Sequence, residues 1–341
     1  MAFESRNKNQ RLWRFFILTF SFLFGVSLGA GSGATNRLMR PLDLRNQYLF
    51  YLPFLAMPLE RAENIEEGKQ EIKIGLAKSS TFLDYYECEE KGLFDLETTT
   101  LALQYITVLP GSYQLRFYLP LIYHGGGFMD PVIEGFHAGF GLPNGGRETW
   151  ATNKILIERL GEGGQPLIRI EHALYGLGDP ALYVKKELSE DNPCISMSIA
   201  LKIPLKTEEF VSSNTLDLGL GFNLDYSLEE IYFYLGAGAV YFLGAGYYQE
   251  ELARRDNYTL HGGIGAGIQI SAVVSLFMQF YFQTSPYATG ISRVDRLSSV
   301  HSFGVRWLID DDYVFQFSAD EDTFTYSTTD IAFAFQLEYG F

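Results

Sequence analysis

The chain closes on DIAFAFQLEYGF, in which Ile331, Phe333, Phe335, Leu337, Tyr339 and Phe341 fall on one face of a strand. Ala332, Ala334, Gln336, Glu338 and Gly340 fall on the other. The alternation recurs along the chain. NTLDLGLGFNLDY sets Leu216, Leu218, Leu220, Phe222, Leu224 and Tyr226 against Asp217, Gly219, Gly221, Asn223 and Asp225. CISMSIALKIPL sets Ile195, Met197, Ile199, Leu201, Ile203 and Leu205 against Ser196, Ser198, Ala200 and Lys202. YQLRFYLPLIY, EIYFYLGAGAVYF, YTLHGGIGAGIQI and VSLFMQFYF continue the theme. Such segments run about 10–13 residues, longer than soluble strands and close to the length that crosses a bilayer at a tilt. The one long apolar stretch after residue 34, YLFYLPFLAMPL at 48–59, is too short for a spanning helix and is broken by Pro53 and Pro58.

Strands can cross a membrane only as a closed barrel, because lipid offers no partner to a free backbone N–H or C=O. The uniformly apolar face then meets acyl chains, and Tyr339 and Phe341 belong to an interfacial aromatic girdle. Connections counted back from the C-terminus alternate as in outer-membrane barrels. They are long at 321–326, short at 310–312, long at 285–297, short near 271–272, long at 244–257, short at 227–229, long at 207–213 and short at 189–193. Earlier strands at about 179–188, 112–124, 95–108 and 69–82 complete the set. The expected fold is all-β: a closed antiparallel transmembrane β-barrel of about twelve strands, with a long connection at about 125–178 between the third and fourth. The pair 150–159 and 166–176 would raise the count to fourteen. Glu158, Arg159, Arg169, Glu171 and His172 read instead as an extramembrane hairpin, since charge on a lipid face costs a few kcal/mol.

The front of the chain fits a cleavable secretory signal. Arg6, Lys8, Arg11 and Arg14 precede FFILTFSFLFGVSL, and small residues follow, which places the mature start at Thr35. Three parts result: a signal peptide at 1–34, a periplasmic or lumen-packed segment at 35–68, and the barrel at 69–341. The composition is 47% hydrophobic and 16% aromatic, with 34 glycines and a net charge of −15. Residues 1–34 carry +3, so the mature chain is more acidic still, and nucleic acid is excluded as a natural partner. The expected partners are outer-membrane lipid and lipopolysaccharide, the barrel insertion machinery that reads a terminal aromatic strand, and a small-molecule solute. Cys88 and Cys194 fall at opposite ends of the barrel, so no disulfide joins them in this topology. No metal or other cofactor is expected, and the acidic runs Asp310–Asp312 and Asp320–Asp322 read as solvated turns.

Two surfaces stand out. In the long connection, Asp130 and Pro131 suit a helix start, Val132, Ile133, Phe136 and Phe140 share one helical face, and Gly141 with Pro143 stops it. Asp130, Glu134, His137 and Arg147 could converge there. In the lumen, Gly219, Gly221, Gly236, Gly238, Gly263, Gly265 and Gly267 form a stripe where glycine permits close backbone approach, over which either the loop helix or residues 35–59 would pack. Lumen charges are mixed: Lys73, Arg116, Lys202 and Arg306 against Glu71, Asp217, Asp225 and Glu338. A mixed set argues for internal ion pairs or a polar path, whereas a ring of one sign would argue for an ion-selective pore. At twelve strands a narrow pore and a plugged barrel are both open.

RPLDLRNQ (Arg40–Gln47), GGFMDPVIEGFHAGFGLPNGGRE (Gly126–Glu148) and GLGDPALYVKKEL (Gly176–Leu188), followed by Lys202 and Pro204, resemble a Gram-negative outer-membrane barrel family known only as a domain of unknown function. The resemblance spans nearly all of the mature chain and implies localisation in the outer membrane, but no activity. Glycine-Asp strand openings and lysine-proline strand ends also resemble barrels proposed to move hydrophobic or aromatic compounds. The leading expectation is a passive channel or uptake barrel for small molecules, constricted by the long loop or the N-terminal segment. The alternative is a non-conducting structural or surface-interaction barrel. A hydrolase ranks third: Ser299 and His301 share the lipid-facing parity of a strand, but no third orienting group is identifiable, and no residue is assigned to catalysis.

Overall fold

The structure, a computed structural model, describes residues 37–341 apart from 88–89, 142–145, 162, 245–256 and 323–326. In chain order the strands are β1 (Gln70–Glu87), β2 (Glu90–Leu109), β3 (Tyr113–Gly125), β4 (Leu156–Leu160), β5 (Pro166–Ile170), β6 (Leu174–Leu177), β7 (Ala181–Ser189), β8 (Cys194–Lys202), β9 (Leu216–Leu228), β10 (Ile231–Leu243), β11 (Tyr258–Gln269), β12 (Val274–Gln283), β13 (Ser298–Leu308), β14 (Tyr313–Glu321) and β15 (Ile331–Gly340). The helices are α1 (Met129–Phe140) and α2 (Ser292–Asp295). β1, β2, β3 and β7 to β15 pair antiparallel in sequence order, and β15 returns to β1 from Glu71↔Gly340 to Ser80↔Ile331. The result is a closed barrel of twelve strands with no free edge, as a span through hydrocarbon requires.

The three remaining strands do not enter the circuit. β4 pairs with the outer end of β2 (Lys91–Asp95), β5 adds to β4, and β6 pairs with the outer end of β3 beyond its contact with β7. The charged 150–176 pair is therefore an extramembrane hairpin. β1 and β2 run further than expected, projecting past the barrel as a ribbon.

Side-chain parity follows the apolar alternation. Leu218, Leu220 and Phe222 are exposed on the outer wall, while Asp217, Gly219, Gly221 and Asn223 between them are buried. Tyr313 stacks on Tyr339 at 4.8 Å and Tyr339 on Phe341 at 5.3 Å, forming the girdle at the short-turn end. That end is periplasmic by the loop-length rule of outer-membrane barrels.

Residues 37–65 occupy the lumen with little regular structure. Arg37 donates to the carbonyls of Asp311 and Asp312 in the β13–β14 turn, at the periplasmic end. The segment climbs past β12 and turns at 48–54, where Tyr51 donates to the carbonyls of Val294 and Arg296 in an outer loop. It then descends to Asn64, which donates to the carbonyl of Ser112 in the β2–β3 turn. The glycine wall admits the descending leg. A Cβ on Gly221 or Gly238 would lie 2.8 or 2.9 Å from Met57, and one on Gly263 would lie 3.0 Å from Leu59.

The long loop lies elsewhere. The helix expected at 130–140 is present as α1, one residue longer at its start, so that Asp130 sits in its first turn and not at its cap. It packs on the outside of the barrel against β1 and β2, and so does not fill the lumen. Ile133 faces the wall and is 3% exposed, whereas Val132, expected on the same face, is 53% exposed. The side chains of Phe136, His137 and Phe140 lie outside the described residues, as do Cys88 and the signal segment.

A Cβ on Gly304 would sit 2.6 Å from the carbonyl of Phe317 and 2.7 Å from Leu42. Gly304→Val should therefore destabilise the folded barrel by roughly 1–3 kcal/mol, as overpacking does. The check is a lower urea midpoint in the gel-mobility assay that separates folded from heat-unfolded barrel; an unchanged midpoint would contradict the close contact.

Candidate functional site

An irregular backbone inside a membrane barrel needs partners for its polar groups, from protein or from water in the lumen. Here the lumen wall supplies them through side chains. Leu42 N–H donates to Gln279 Oε1 and Gln279 Nε2 donates to the carbonyl of Leu42, both at 2.9 Å, so one carboxamide imitates a strand neighbour. Leu55 N–H donates to Asp217 (2.9 Å), Glu60 N–H to Asn223 (3.1 Å), Ala62 N–H to Asp225 (2.8 Å) and Ile65 N–H to Gln114 (2.9 Å). In the other direction Tyr234 donates to the carbonyl of Met39 at 2.7 Å, Tyr183 to that of Ala56 at 3.0 Å, and Lys185 to those of Arg61 and Glu63.

The lumen charges expected from parity are all buried, and their partners are now visible. Arg306 binds Glu338 at 2.8 Å, donates to Gln316, and reaches the carbonyl of Arg37. Lys73 lies 3.4 Å from the same Glu338 carboxylate. Arg40, from the lumen segment, binds Glu71 at 2.6 Å. Arg116 binds Glu60 at 2.5 Å and lies over the Tyr183 ring at 4.0 Å. Lys202 is enclosed by Asp179 at 2.6 Å, Asp217 at 3.3 Å and the hydroxyl of Ser213. Arg61 approaches Asp225 at 3.7 Å and lies over Tyr232.

Sequence parity placed the charged wall residues named above in the lumen, but it did not pick out Gln114, Lys185, Tyr234 or Gln279 on the wall, nor the segment's own residues. Arg40, Asp43, Glu60 and Arg61 lie in a segment with no strand period, although RPLDLRNQ carried two of them in plain view. Asp179 precedes the strand whose parity would have revealed it.

The apolar run at 48–59 forms the apex. Tyr48, Phe50, Tyr51 and Phe54 are each no more than 3% exposed. Phe50 packs edge-on against Phe94 at 5.0 Å and Tyr287 at 5.9 Å, and Phe54 lies 4.9 Å from Phe242. The Arg45 guanidinium donates to the carbonyls of Leu52 at 2.8 Å and Phe54 at 2.7 Å and so closes the turn. Below it two cavities of about 50 Å³ lie beside the segment, sharing Asp43, and a cavity of about 430 Å³ opens at the periplasmic end. Among the described residues, aromatic rings thus surround the segment's outer turn, and the cavity at the other end is lined by residues of the periplasmic turns.

The loop candidates form a separate group. Arg147 binds Asp130 at 2.7 Å, donates to the Ser80 hydroxyl at 2.8 Å, and pairs with Asp330. Glu134 is half-buried on α1 and stands apart from that group. The Ser299 hydroxyl and His301 Nε2 are 2.9 Å apart, but Ser299 is 1% and His301 6% exposed, so the hydroxyl is closed to any substrate in this structure. Among the described residues no cluster of His, Cys, Asp and Glu could hold a metal ion, and Cys194 is a free thiol.

Removing Lys202 would leave the Asp179 and Asp217 carboxylates buried without their cation. Lys202→Ala should lose about 3–5 kcal/mol of stability, the usual effect of breaking a buried pair. Urea titration of the refolded barrel measures this; a loss no larger than that of an exposed-site control such as Lys206→Ala would refute the pairing.

Residues 17–341 match the family described as "Protein of unknown function (DUF3187)", and the chain belongs to that family. No curated protein matches it in sequence. Its fold is similar to that of the COG4313 outer membrane channel from Pseudomonas putida F1, at 13% identity over 84% of this chain and 100% of that one, with a TM-score of 0.55. It is also similar to the toluene transporter TodX of P. putida, at 10% identity over 92% of this chain and 97% of that one, with a TM-score of 0.35. The resemblance read from the sequence thus holds, and the protein is a β-barrel of the Gram-negative outer membrane.

Proposed function

We propose that this protein is an outer-membrane channel or uptake barrel for small molecules, closed at rest by residues 37–65. One observation carries the reading: the barrel's backbone ladder is complete without that segment, which is held by side-chain contacts alone. The segment can therefore rearrange without opening the barrel wall. Its departure would expose a lumen with a glycine-rich stretch on β9 to β11 and carboxylates, amides and basic residues of both signs around it. The path would suit small polar or amphipathic solutes with no marked preference for ion charge. The filled bore favours a second reading, a non-conducting barrel that acts through its outer surface. The acidic outer loops would meet lipopolysaccharide through divalent cations, and the terminal strand ending on Phe341 would be read by the barrel insertion machinery.

Planar-bilayer recordings separate the two readings. The full-length refolded protein should be silent or open rarely, and a chain lacking residues 37–65 should show stepwise conductance. A deletion variant that remains silent, yet shifts in gel mobility on heating as a folded barrel does, would rule out the channel.

A further inference from the structure

The outer wall of the barrel changes character towards its extracellular end. On β1, Ile74 and Leu76 face lipid and are 51% and 44% exposed, but Ser80 and Phe82, on the same parity, are buried. On β2, Leu101 and Leu103 are exposed, whereas Leu93, Asp95 and Glu97 above them, again on the outward parity, are buried. What covers them is the loop after β3. Met129 N–H donates to Glu97 at 2.5 Å, Lys78 binds Glu97 at 2.7 Å, and Arg147 ties Asp130 of α1 to Ser80 of β1 and to Asp330 before β15.

Helix α1 therefore replaces the barrel's own surface at this level, and with Phe128, the residue just before it, it carries its own exposed stripe. Phe128, Val132, Gly135 and Gly139 lie at helical spacing on the side away from the wall; Phe128 is 70% and Val132 53% exposed, and Pro131 and Ala138 beside them are exposed. No charged residue falls on the stripe. Its height is fixed by strand register. Lys78, which reaches over the Phe128 ring, pairs across the sheet with Phe333 on one side and Thr99 on the other, and Thr99 pairs with Tyr123. Phe333 and Tyr123 are the outermost aromatic positions on the lipid faces of β15 and β3, so the stripe continues the apolar band at its outer rim.

We infer that α1 is an interfacial helix whose Phe128–Val132 face lies in the acyl chains of the outer leaflet, locked to the barrel through Arg147. An amphipathic helix at an interface buries its apolar face some 5–10 Å into the boundary between headgroups and acyl chains, and here Asp130 on the opposite side is paired with Arg147 and the helix start is held by Glu97, itself paired with Lys78. The inference is independent of whether the barrel conducts.

Fluorescence quenching tests it in the full chain, with Cys88→Ser and Cys194→Ser removing the native thiols. A bimane label at Val132→Cys is compared with one at Leu101→Cys on the lipid face and one at Glu190→Cys in a periplasmic turn. The barrel is reconstituted in phosphatidylcholine vesicles containing dibrominated phosphatidylcholine, or probed with aqueous iodide. The Val132 label should be quenched by brominated lipid to the extent seen at Leu101 and severalfold more than at Glu190, with iodide quenching reversed in order. Strong iodide quenching at 132 would place the helix in water and overturn the inference. Protection from both quenchers would place a second copy or another protein on the stripe and overturn it equally. Arg147→Ala should raise iodide quenching at 132 while leaving the Leu101 label unchanged, which separates loss of the lock from loss of the barrel.

Discussion

A backbone in hydrocarbon has no solvent to bond with, and every other feature of this protein follows from that constraint. Closure of β15 onto β1 meets it for the barrel itself. The lumen segment meets the same constraint by another route. It has no strand partner, so its N–H groups are taken up by Gln279, Asp217, Asn223, Asp225 and Gln114 on the wall. Polar lumen side chains of this kind serve as a scaffold for a guest backbone as much as a lining for a pore.

The two walls of the lumen divide the work. On β9 to β11, glycines clear the space into which Met57 and Leu59 pack, and Asp217, Asn223 and Asp225 of β9 take up the segment's N–H groups beside them. On β1 to β3 and β13 to β15, charged groups hold the segment through Glu71, Arg116, Arg306 and Glu338, and small cavities remain beside it. Buried ion pairs add little net stability but are costly to break singly. Such an attachment specifies one position for the segment without welding it there. At the outer end specificity gives way to aromatic packing around Phe50 and Phe54.

Much of this was legible in the sequence, because a barrel writes its inside and outside into alternate residues. The strand order, the periplasmic turns and the buried lumen charges at Lys73, Lys202, Asp217, Arg306 and Glu338 all follow from parity. Parity fails where lipid ends. Above the membrane Leu83, Tyr85, Phe94 and Leu96 are apolar on the inward face, since the interior there is a protein core, and β1 and β2 could not be traced to their ends by a rule that puts apolar residues outside. The rule is also blind to residues 37–65, whose contacts come from a chain that turns twice and has no period. For α1, composition suggested the helix, but the choice between Val132 and Ile133 as the docking side depends on the angle at which the loop leaves β3.

Residues 37–65 lie inside the barrel against the wall of β9 to β11. A Cβ at Gly263 would lie 3.0 Å from that of Leu59, so a shift of about 0.5–1 Å brings the pair into the separation a disulfide spans. The direct measurement is oxidative crosslinking of Leu59→Cys with Gly263→Cys in a chain without its native thiols, assayed in intact outer membranes and set against Leu59→Cys with Gly135→Cys as control. The first pair should crosslink nearly to completion and the control not at all. A folded barrel in which Cys at 59 and 263 stay reduced under oxidant would contradict that placement.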